Sequence, residues 1–268
     1  MTPTPSPVIL TTDFGLKDAY VGVLKGVILS IAPDATIIDL THLVSPQNIR
    51  EAARVIGLNY RYFPDRSVHL CIVDPGVGTL RRIIAVDTGR HYFVGPDNGV
   101  FTRIFAAEPD IRVYDVSNER WFLDDISTTF HGRDIMAPTA ARLAGGEPIE
   151  AAGPQIPVET CTTIVLAQPA VTPEGISGVI ESVDRFGNLI SNIPVDLLAA
   201  LGERGPCRVF IHDHTIAFGS RSYADLPDNT PAALVNSGGW VEITVKNDSA
   251  ARVLSAAADD RILIKPGL

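Results

Sequence analysis

Residues 8–40 read VILTTDFGLKDAYVGVLKGVILSIAPDATIIDL, and this stretch decides the fold class. The apolar run Val8–Thr12 predicts a short buried strand, Tyr20–Ile31 predicts an apolar helix, and residues 36–40 predict a second strand. A strand, a helix and a strand in this order are typical of a sheet that is covered by helices. The stretch therefore predicts an α/β fold for the first part of the chain.

The same alternation of strands and helices continues to about residue 145. Apolar runs predict further strands over residues 68–73, 83–86, 91–94 and 111–114, and helices over residues 47–60, 100–107 and 135–143. Residues 144–157 are rich in glycine and proline without a clear period, which is typical of a linker. We therefore predict an α/β domain over residues 8–157, built on a central and mostly parallel sheet.

The sequence pattern changes beyond the predicted linker, where short strand-like runs are separated by turn residues. These runs cover residues 176–183, 189–193, 207–211, 215–218, 232–235, 241–245 and 262–264. Many short strands with regular turns predict a small barrel or a sandwich. We expect this second, all-β domain to span residues 168–268.

The composition limits the partners of the protein. A chain of 268 residues with 46% hydrophobic residues can build a large core, and its net charge of -9 argues against nucleic acid and anionic membranes as partners. No stretch reaches the roughly 18 apolar residues that a membrane span needs. Cys71, Cys161 and Cys207 lie far apart without metal or disulfide spacing, which favours a reducing cytoplasm. We expect a soluble cytoplasmic protein that binds a small molecule.

Four short polar motifs each lie beside an apolar run. They are residues 11–15 (TTDFG), 74–79 (DPGVGT), 95–99 (GPDNG) and 130–134 (FHGRD). In an α/β protein such junctions are the ends of strands, and ligands bind in the crevice outside those ends. The four motifs therefore predict one shared site.

Asp13 and Asp74 are the carboxylates in these motifs that can carry chemistry. Asp13 can bind a metal, act as a nucleophile or accept hydrogen bonds from a sugar diol, and its alternative role is to cap the helix at Tyr20. The loop after Asp74 lacks the third glycine of a dinucleotide fingerprint and the Lys-Ser/Thr of a P-loop. Arg81 and Arg82 follow closely enough for an ion pair that keeps Asp74 charged, the alternative being a surface turn with exposed arginines.

His131 is the histidine best placed for chemistry. It precedes a predicted helix, where it can shuttle a proton, and Gly132 lets a ligand approach the backbone; a structural role is the alternative. The other histidines show no metal-ligand spacing, except that His212 and His214 flank one residue at a predicted hairpin tip. We therefore expect no metal.

In the second half, residues 184–188 (DRFGN) place a carboxylate, an aromatic ring and an amide side by side between two strand-like runs. Asp184 suits an ammonium group, Phe186 a flat base and Asn188 a base edge. A tight turn with a buried phenylalanine is the alternative. A second polar turn, residues 236–239 (NSGG), can offer backbone amides to a ligand carboxylate.

Taken together, the motifs form a recognisable set. Its members are TTDFGxxDxYVGxxKG (11–26), DLTH (39–42), VDPGVGTxRR (73–82), VGPDNG (94–99), TFHGRDxxAP (129–138) and DRFGNLxxN (184–192). In this order they resemble the S-adenosyl-L-methionine (SAM) hydroxide adenosyltransferases, or SAM hydrolases, which are related to the SAM-dependent fluorinase and chlorinase. The resemblance extends from about residue 8 to the carboxyl end.

The resemblance implies an α/β domain followed by a small β-barrel domain. It also implies a homotrimer, in which each active site lies between the first domain of one subunit and the second domain of a neighbour. The implied reaction is the attack of water or hydroxide on the 5'-carbon of SAM, which releases adenosine and L-methionine. SAM is the substrate, so that no cofactor is expected.

The resemblance also implies a role for each candidate residue. It assigns catalysis to Asp74, Arg81 and His131, the ribose hydroxyls to Asp13, the methionine ammonium to Asp184, adenine to Phe186 and Asn188, and the methionine carboxylate to Ser237. The sulfonium departs as a neutral thioether, so the difficult step is to place the water and remove its proton. Arg81 can stabilise hydroxide character, whereas either Asp74 or His131 can take the proton.

Differences from the halogenating relatives narrow this expectation. Those enzymes have a tyrosine at the position of Asp74 and a serine at that of Gly132, so that halogenation is disfavoured here. Gln47, Leu234 and Gly238 replace a tryptophan, a tyrosine and an arginine, which leaves open how the methionine carboxylate is held. The alternatives to hydrolysis are a halogenase-like adenosyl transfer and a SAM or adenosine sensor without turnover.

Overall fold

The computed structural model describes residues 5–201, 207–220 and 222–266. The chain divides into two units, of which the first ends at Ile164 and the second begins at Val165. Within the described ranges, no helix has both the length and the apolar character that a membrane span requires.

The first unit is built on a sheet of seven strands among the described residues. They are β1 (Val8–Thr12), β2 (Ile37–Thr41), β3 (Val68–Ile72), β4 (Ile83–Asp87), β5 (Tyr92–Pro96), β6 (Arg112–Asp115) and β7 (Gln155–Ile156), in the order β2-β1-β3-β5-β4-β6-β7. Strands β2, β1, β3 and β5 are parallel, β4 reverses the direction, β6 restores it and β7 reverses it again. Five of these seven strands run the same way, which confirms an α/β unit with a mostly parallel sheet.

Helices cover both faces of this sheet. They are α1 (Tyr20–Ile31), α2 (Ile49–Asn59), α3 (Thr102–Ala107) and α4 (Ala137–Ala144). In β3, Leu70 packs in the core cluster that contains residues of α1 and α4, whereas Cys71 packs in the cluster that contains residues of α2 and α3. Successive side chains of a strand point to opposite faces, and both faces of this sheet are covered. A strand in this position is therefore almost entirely apolar, and β3 has His69 as its one polar residue.

The prediction of a linker over residues 144–157 is wrong, because this segment belongs to the first unit. Ile149–Ala152 form a 3-10 turn, and Gln155–Ile156 pair with β6 as an edge strand. Gly153 has a φ of 154°, and a Cβ there would lie 2.0 Å from the carbonyl oxygen of Asp115. The glycine therefore allows two backbone segments to approach each other and does not mark a flexible connection.

The second unit is a closed β-barrel. Its strands are β8 (Ala170–Thr172), β9 (Gly175–Val183), β10 (Leu189–Pro194), β11 (Arg208–Ile211), β12 (His214–Ser220), β13 (Pro231–Val235), β14 (Trp240–Val245) and β15 (Arg261–Lys265), with the short helix α5 (Ala250–Val253) after β14. Seven of these strands pair in the ring β9-β10-β14-β13-β12-β11-β15, and β9 pairs with both β10 and β15. This closure confirms the barrel and rules out the sandwich.

Candidate active site

A cavity of about 360 Å³ lies at the carboxyl ends of β1 and β3 in the first unit. Asp13 directly follows β1, and Asp74 comes two residues after β3. The lining residues are Asp13, Phe14, Tyr20, Gln47, Ile72, Asp74, Pro75, Val77, Thr129, Phe130, His131 and Gly132. Three of the four predicted motifs therefore contribute to one cavity, as the ends of parallel strands meet at one edge of the sheet.

The fourth motif, residues 95–99, is not part of this wall. Nδ2 of Asn98 donates to the carbonyl oxygen of Val73 at 2.9 Å, directly before Asp74. The motif therefore supports the backbone from which Asp74 projects. The prediction of one shared site holds for three motifs and fails for this one.

Arg81 joins Asp74 to His131. Its Nε donates to the two carboxylate oxygens of Asp74 at 2.7 and 2.9 Å, and its Nη2 donates to Oδ2 as well. The same Nη2 lies 3.1 Å from Nδ1 of His131. Only 5% of the Asp74 side chain and 10% of the Arg81 side chain are exposed, so water competes little with this charged pair. The predicted ion pair is confirmed, and its arginine is also hydrogen-bonded to His131.

The contact with Arg81 decides the protonation of His131. A guanidinium has only donors, so Nδ1 of His131 must accept and the imidazole carries its proton on Nε2. Burial lowers the pKa of His131, Arg81 lowers it further, and Asp74 and Asp134 oppose this change. The neutral ring is therefore the form that fits the site at neutral pH.

His131 stands directly before a π-helical turn, Gly132–Met136, that leads into α4. Asp134 in this turn is fully buried, and its Oδ2 accepts from the backbone N and from Oγ of Ser127, both at 2.8 Å. Its Oδ1 pairs with Arg133. These bonds tie the loop before His131 to the turn after it. Wide turns of this kind are often found at functional sites.

Asp13 does not cap the first helix. Helix α1 has Ala19 at its N-cap and no side-chain hydrogen bond there, so the capping alternative is wrong. Oδ2 of Asp13 accepts from the backbone N of Gln47 at 2.7 Å. Gln47 has a φ of 65°, which a helix does not allow, and α2 therefore begins later than predicted, at Ile49, with Asn48 as its cap. Asp13 thus holds a turn at the cavity wall.

An aromatic wall lies beside the polar group and is absent from the sequence prediction. Phe14, Tyr20 and Phe130 pack with ring centroids 5.3 to 5.7 Å apart, in tilted and edge-to-face arrangements. All three line the cavity. Two of them directly follow or precede Asp13 and His131 along the chain, which is the signal that could have identified them.

A second cavity, of about 680 Å³, lies in the second unit. Its lining residues are Asp184, Phe186, Asn188, Tyr223, Thr244, Val245, Lys246, Asn247 and Asp248. The Asp184 carboxylate accepts from the backbone N of Phe186 and Asn188 at 2.8 and 2.9 Å, and from Nδ2 of Asn188 at 3.0 Å. The predicted tight turn is therefore present. Its phenylalanine is 77% exposed rather than buried, so that its face is open for stacking.

Ser237 lies on a different turn and is not part of this wall. The turn Asn236–Gly239 connects β13 to β14, and Ser237 is exposed on it. Oδ1 of Asn236 accepts from the backbone N of Gly238 and Trp240 at 3.0 and 3.1 Å, which shapes the turn. The structure therefore brings together three of the four candidate residues in this unit.

Comparison with protein families identifies the family to which both units of the chain match. Residues 8–153 match the SAM hydroxide adenosyltransferase N-terminal domain, and residues 178–263 match the SAM hydroxide adenosyltransferase C-terminal domain. The chain belongs to the SAM hydroxide adenosyltransferase family. The resemblance inferred from the motifs is thereby confirmed.

The proteins that are similar to this chain include a hydrolase and a fluorinase. An (R)-S-adenosyl-L-methionine hydrolase of Salinispora tropica is 39% identical to this chain, with 100% of both chains covered. The crystal structure of an uncharacterized conserved protein from Thermotoga maritima has 36% identity and a TM-score of 0.90, covering 96% of this chain and 99% of that chain. A fluorinase of Actinopolyspora mzabensis is 28% identical over 87% of this chain and 88% of its own length.

Proposed function

We propose that this protein hydrolyses SAM to adenosine and L-methionine, with Asp74, Arg81 and His131 acting on the attacking water. The observation that carries the proposal is that Arg81 contacts both Asp74 and His131. It thereby joins a carboxylate and an imidazole at the wall of one cavity. Membership of the SAM hydroxide adenosyltransferase family and similarity to (R)-S-adenosyl-L-methionine hydrolases support it.

The proposed reaction is a substitution at carbon. The oxygen of a water molecule forms a bond to C5' of the ribose, the bond between C5' and sulfur breaks, and its electron pair stays on sulfur. The water loses one proton in the same step. Because the sulfonium leaves as a neutral thioether, the protein needs no acid for the leaving group. It must hold the water in line and accept its proton.

We assign the proton to Asp74. Nδ1 of His131 is occupied by Arg81 and Nε2 carries hydrogen, so the ring can donate to the water and orient it but has no free lone pair. Within the described residues, Oδ1 of Asp74 accepts only from Arg81 and keeps a lone pair for the proton. Arg81 stabilises the negative charge that develops on the water oxygen.

The other candidate residues provide the substrate contacts of the proposal. Asp13 binds the ribose hydroxyls through Oδ1, which has no hydrogen-bond partner among the described residues. Phe186 stacks on adenine and Asn188 binds the edge of the base, for which the open face of the phenylalanine is the support. Asp184 binds the methionine ammonium through its remaining lone pair, and Ser237 binds the carboxylate.

The proposal includes a homotrimer with active sites at the subunit interfaces, and a cytoplasmic location. Two apolar residues support the assembly: Tyr20, in the wall of the first cavity, is 49% exposed, and Phe186, in the wall of the second, is 77% exposed. Light scattering tests it, because the trimer has three times the chain mass of 28.7 kDa. Cys71, Cys161 and Cys207 are unpaired, which suits a reducing compartment.

The proposed reaction needs neither a metal nor a cofactor, since SAM itself carries the leaving group. The test is to incubate the purified protein with SAM, with and without chloride and with and without a chelator, and to separate the products by chromatography. The expected result is adenosine and methionine in equal amounts, independent of chloride and chelator. Formation of 5'-chloro-5'-deoxyadenosine would show a halogenase, and saturable binding without turnover would show a sensor.

A further inference from the structure

The strand β14 has a polar outer face. Val241 and Ile243 are buried in the core of the barrel. Glu242 and Thr244 alternate with them and therefore lie on the outer face, yet each is only 2% exposed. Thr244 donates to Oδ1 of Asn188 at 2.6 Å. Polar side chains that are buried outside the core form hydrogen bonds with the segments that pack over the strand.

Glu242 is held by two side chains from separate segments. The hydroxyl of Tyr223 donates to its Oε1 at 2.7 Å, and Nδ2 of Asn236 donates to its Oε2 at 3.2 Å. Tyr223 lines the cavity of about 680 Å³ together with Asp184 and Phe186. The buried carboxylate therefore holds one wall of this cavity in place.

Asn236 extends this connection to the turn that carries Ser237. Its Nδ2 is bound to Glu242, while its Oδ1 accepts from the backbone N of Gly238 and Trp240. A single buried carboxylate thus links the cavity wall to the turn on which the methionine carboxylate is proposed to bind.

Among the residues that the structure describes, no cation pairs with the two carboxylates of this region. Within the described residues, neither Glu242 nor Asp184 forms an ion pair, and Lys246 in the same cavity wall pairs with Asp228 at 3.2 Å. Burial raises the pKa of Glu242, its two hydrogen bonds lower it, and the charge of Asp184 raises it further. Tyr223, which binds Glu242, lines the same cavity as Asp184. A buried carboxylate without a cation favours a ligand that brings one.

We propose that Glu242 is a positioning residue that sets the affinity of this cavity for the cationic amino-acid end of the ligand. Its charge adds to that of Asp184 in attracting an ammonium group, and its hydrogen bonds hold Tyr223 and the turn of Ser237 in place. This inference rests on the proposed function, because it takes SAM as the ligand.

Glu242→Gln separates the charge from the structural role. The glutamine can accept from Asn236 through Oε1 and donate through Nε2 to the hydroxyl of Tyr223, which changes from donor to acceptor. The network keeps its shape while the charge is lost. The KM for SAM should rise about tenfold and kcat should stay within about twofold, because the catalytic group belongs to the first unit.

Binding measurements test the same point without turnover. S-adenosyl-L-homocysteine, which has the ammonium and carboxylate but no sulfonium, and adenosine, which has neither, are titrated into each variant by calorimetry. In Glu242→Gln the Kd of S-adenosyl-L-homocysteine should rise about tenfold, while that of adenosine should change by less than about twofold. Asp213→Asn, which removes an exposed carboxylate at the β11–β12 hairpin tip, is the matched control and should change neither.

The ratio of the two Kd values decides the inference, since a general loss of structure weakens both ligands together. An unchanged ratio, or a parallel loss of both affinities, would overturn it. If Glu242→Gln does not fold, Glu242→Ala gives the same ratio test, with an additional drop in melting temperature. A wild-type protein that binds both ligands but releases no adenosine from SAM would refute the proposed function, while the ratio would still test Glu242.

Discussion

The two ends of the sheet in the first unit both contain histidines, in opposite environments. At the carboxyl end, His131 is bound to Arg81 and lines a cavity. At the amino end, His69 and His91 are each 2% exposed, and three of their ring nitrogens have no hydrogen-bond partner among the described residues. His69 stacks on Phe93 with ring centroids 4.9 Å apart, in a cluster of aromatic side chains.

This difference shows what a buried histidine needs for chemistry. Burial lowers the pKa of His69 to about 3, and burial also lowers the pKa of His131. Both rings are therefore neutral at neutral pH. Only His131 has a charged partner that sets its tautomer and an adjacent space for a substrate. A shifted pKa indicates a functional site when these two features accompany it.

Asp74→Asn should produce the largest effect at the carboxyl end. Loss of the proton acceptor should lower kcat by a factor of about 10³ and leave KM nearly unchanged. His131→Gln keeps an N–H donor near the position of Nε2 and should lower kcat only about tenfold. Steady-state assays of adenosine release compare the two variants. A larger loss in His131→Gln would assign the proton to the histidine.

Arg81→Lys should have the next largest effect. A lysine cannot make parallel hydrogen bonds to Asp74 and also reach His131, so kcat should fall about 100-fold. Arg82→Lys is the matched control, because the neighbouring Arg82 pairs with Asp97 outside the cavity wall. It should lower the melting temperature and keep kcat within about twofold. Equal losses of kcat in both variants would contradict a specific role of Arg81.

His69→Phe tests the amino end. The pKa of a histidine is near 6.5 in the unfolded chain, so between about pH 6.5 and 3 the unfolded state binds a proton that folded His69 does not. The free energy of unfolding therefore falls as the pH is lowered through this range. The variant should reduce this fall by up to about 1.4 kcal/mol per pH unit.

Urea unfolding measured between about pH 7 and about pH 4.5 follows this dependence. Gly26→Ala, which changes no titratable group, is the control and should leave the slope unchanged. A slope that is equal in wild type and His69→Phe would mean that His69 takes up a proton in the folded state. The two ends of the sheet would then not differ as described.

Gly132→Ala should have the smallest effect. A Cβ at this position would lie 3.0 Å from two side-chain carbons of Ile72, which must then shift within the cavity wall. We expect kcat/KM to fall about threefold to tenfold. Gly26→Ala, in α1 with no atom near the new Cβ, is the control and should raise the melting temperature slightly without changing kcat/KM. Wild-type activity of Gly132→Ala would place the substrate away from Ile72.

Much of the fold can be predicted from local apolar runs. Helix α1 has the predicted limits, and β3 ends one residue before its predicted end. Strand β7 could not be predicted, because two residues show no period and Gln155–Ile156 are a strand only through pairing with Val113 and Tyr114. The start of α2 was missed for a similar reason, since the positive φ of Gln47 has no local signal.

The candidate site shows the same division. Asp13, Asp74 and His131 stand out because they lie at the ends of apolar runs and within motifs of a known family. Tyr20 and Glu242 do not, because an aromatic residue in an apolar helix is expected in a core and a glutamate in a strand is expected at the surface. The place of Tyr20 in the wall of the first cavity, and the contact of Glu242 with Tyr223 in the wall of the second, depend on segments far away in the chain.

The sequence by itself determined most of the order of strands and helices in the first unit, the change to short strands in the second, and the family. These properties depend on neighbouring residues and on short motifs, which are local features of the sequence. Only the tertiary structure decided that Arg81 binds Nδ1 of a histidine 50 residues away, and that Glu242 is buried between Tyr223 and Asn236. The physical reason is that hydrogen-bond partners and burial depend on which distant segments pack together.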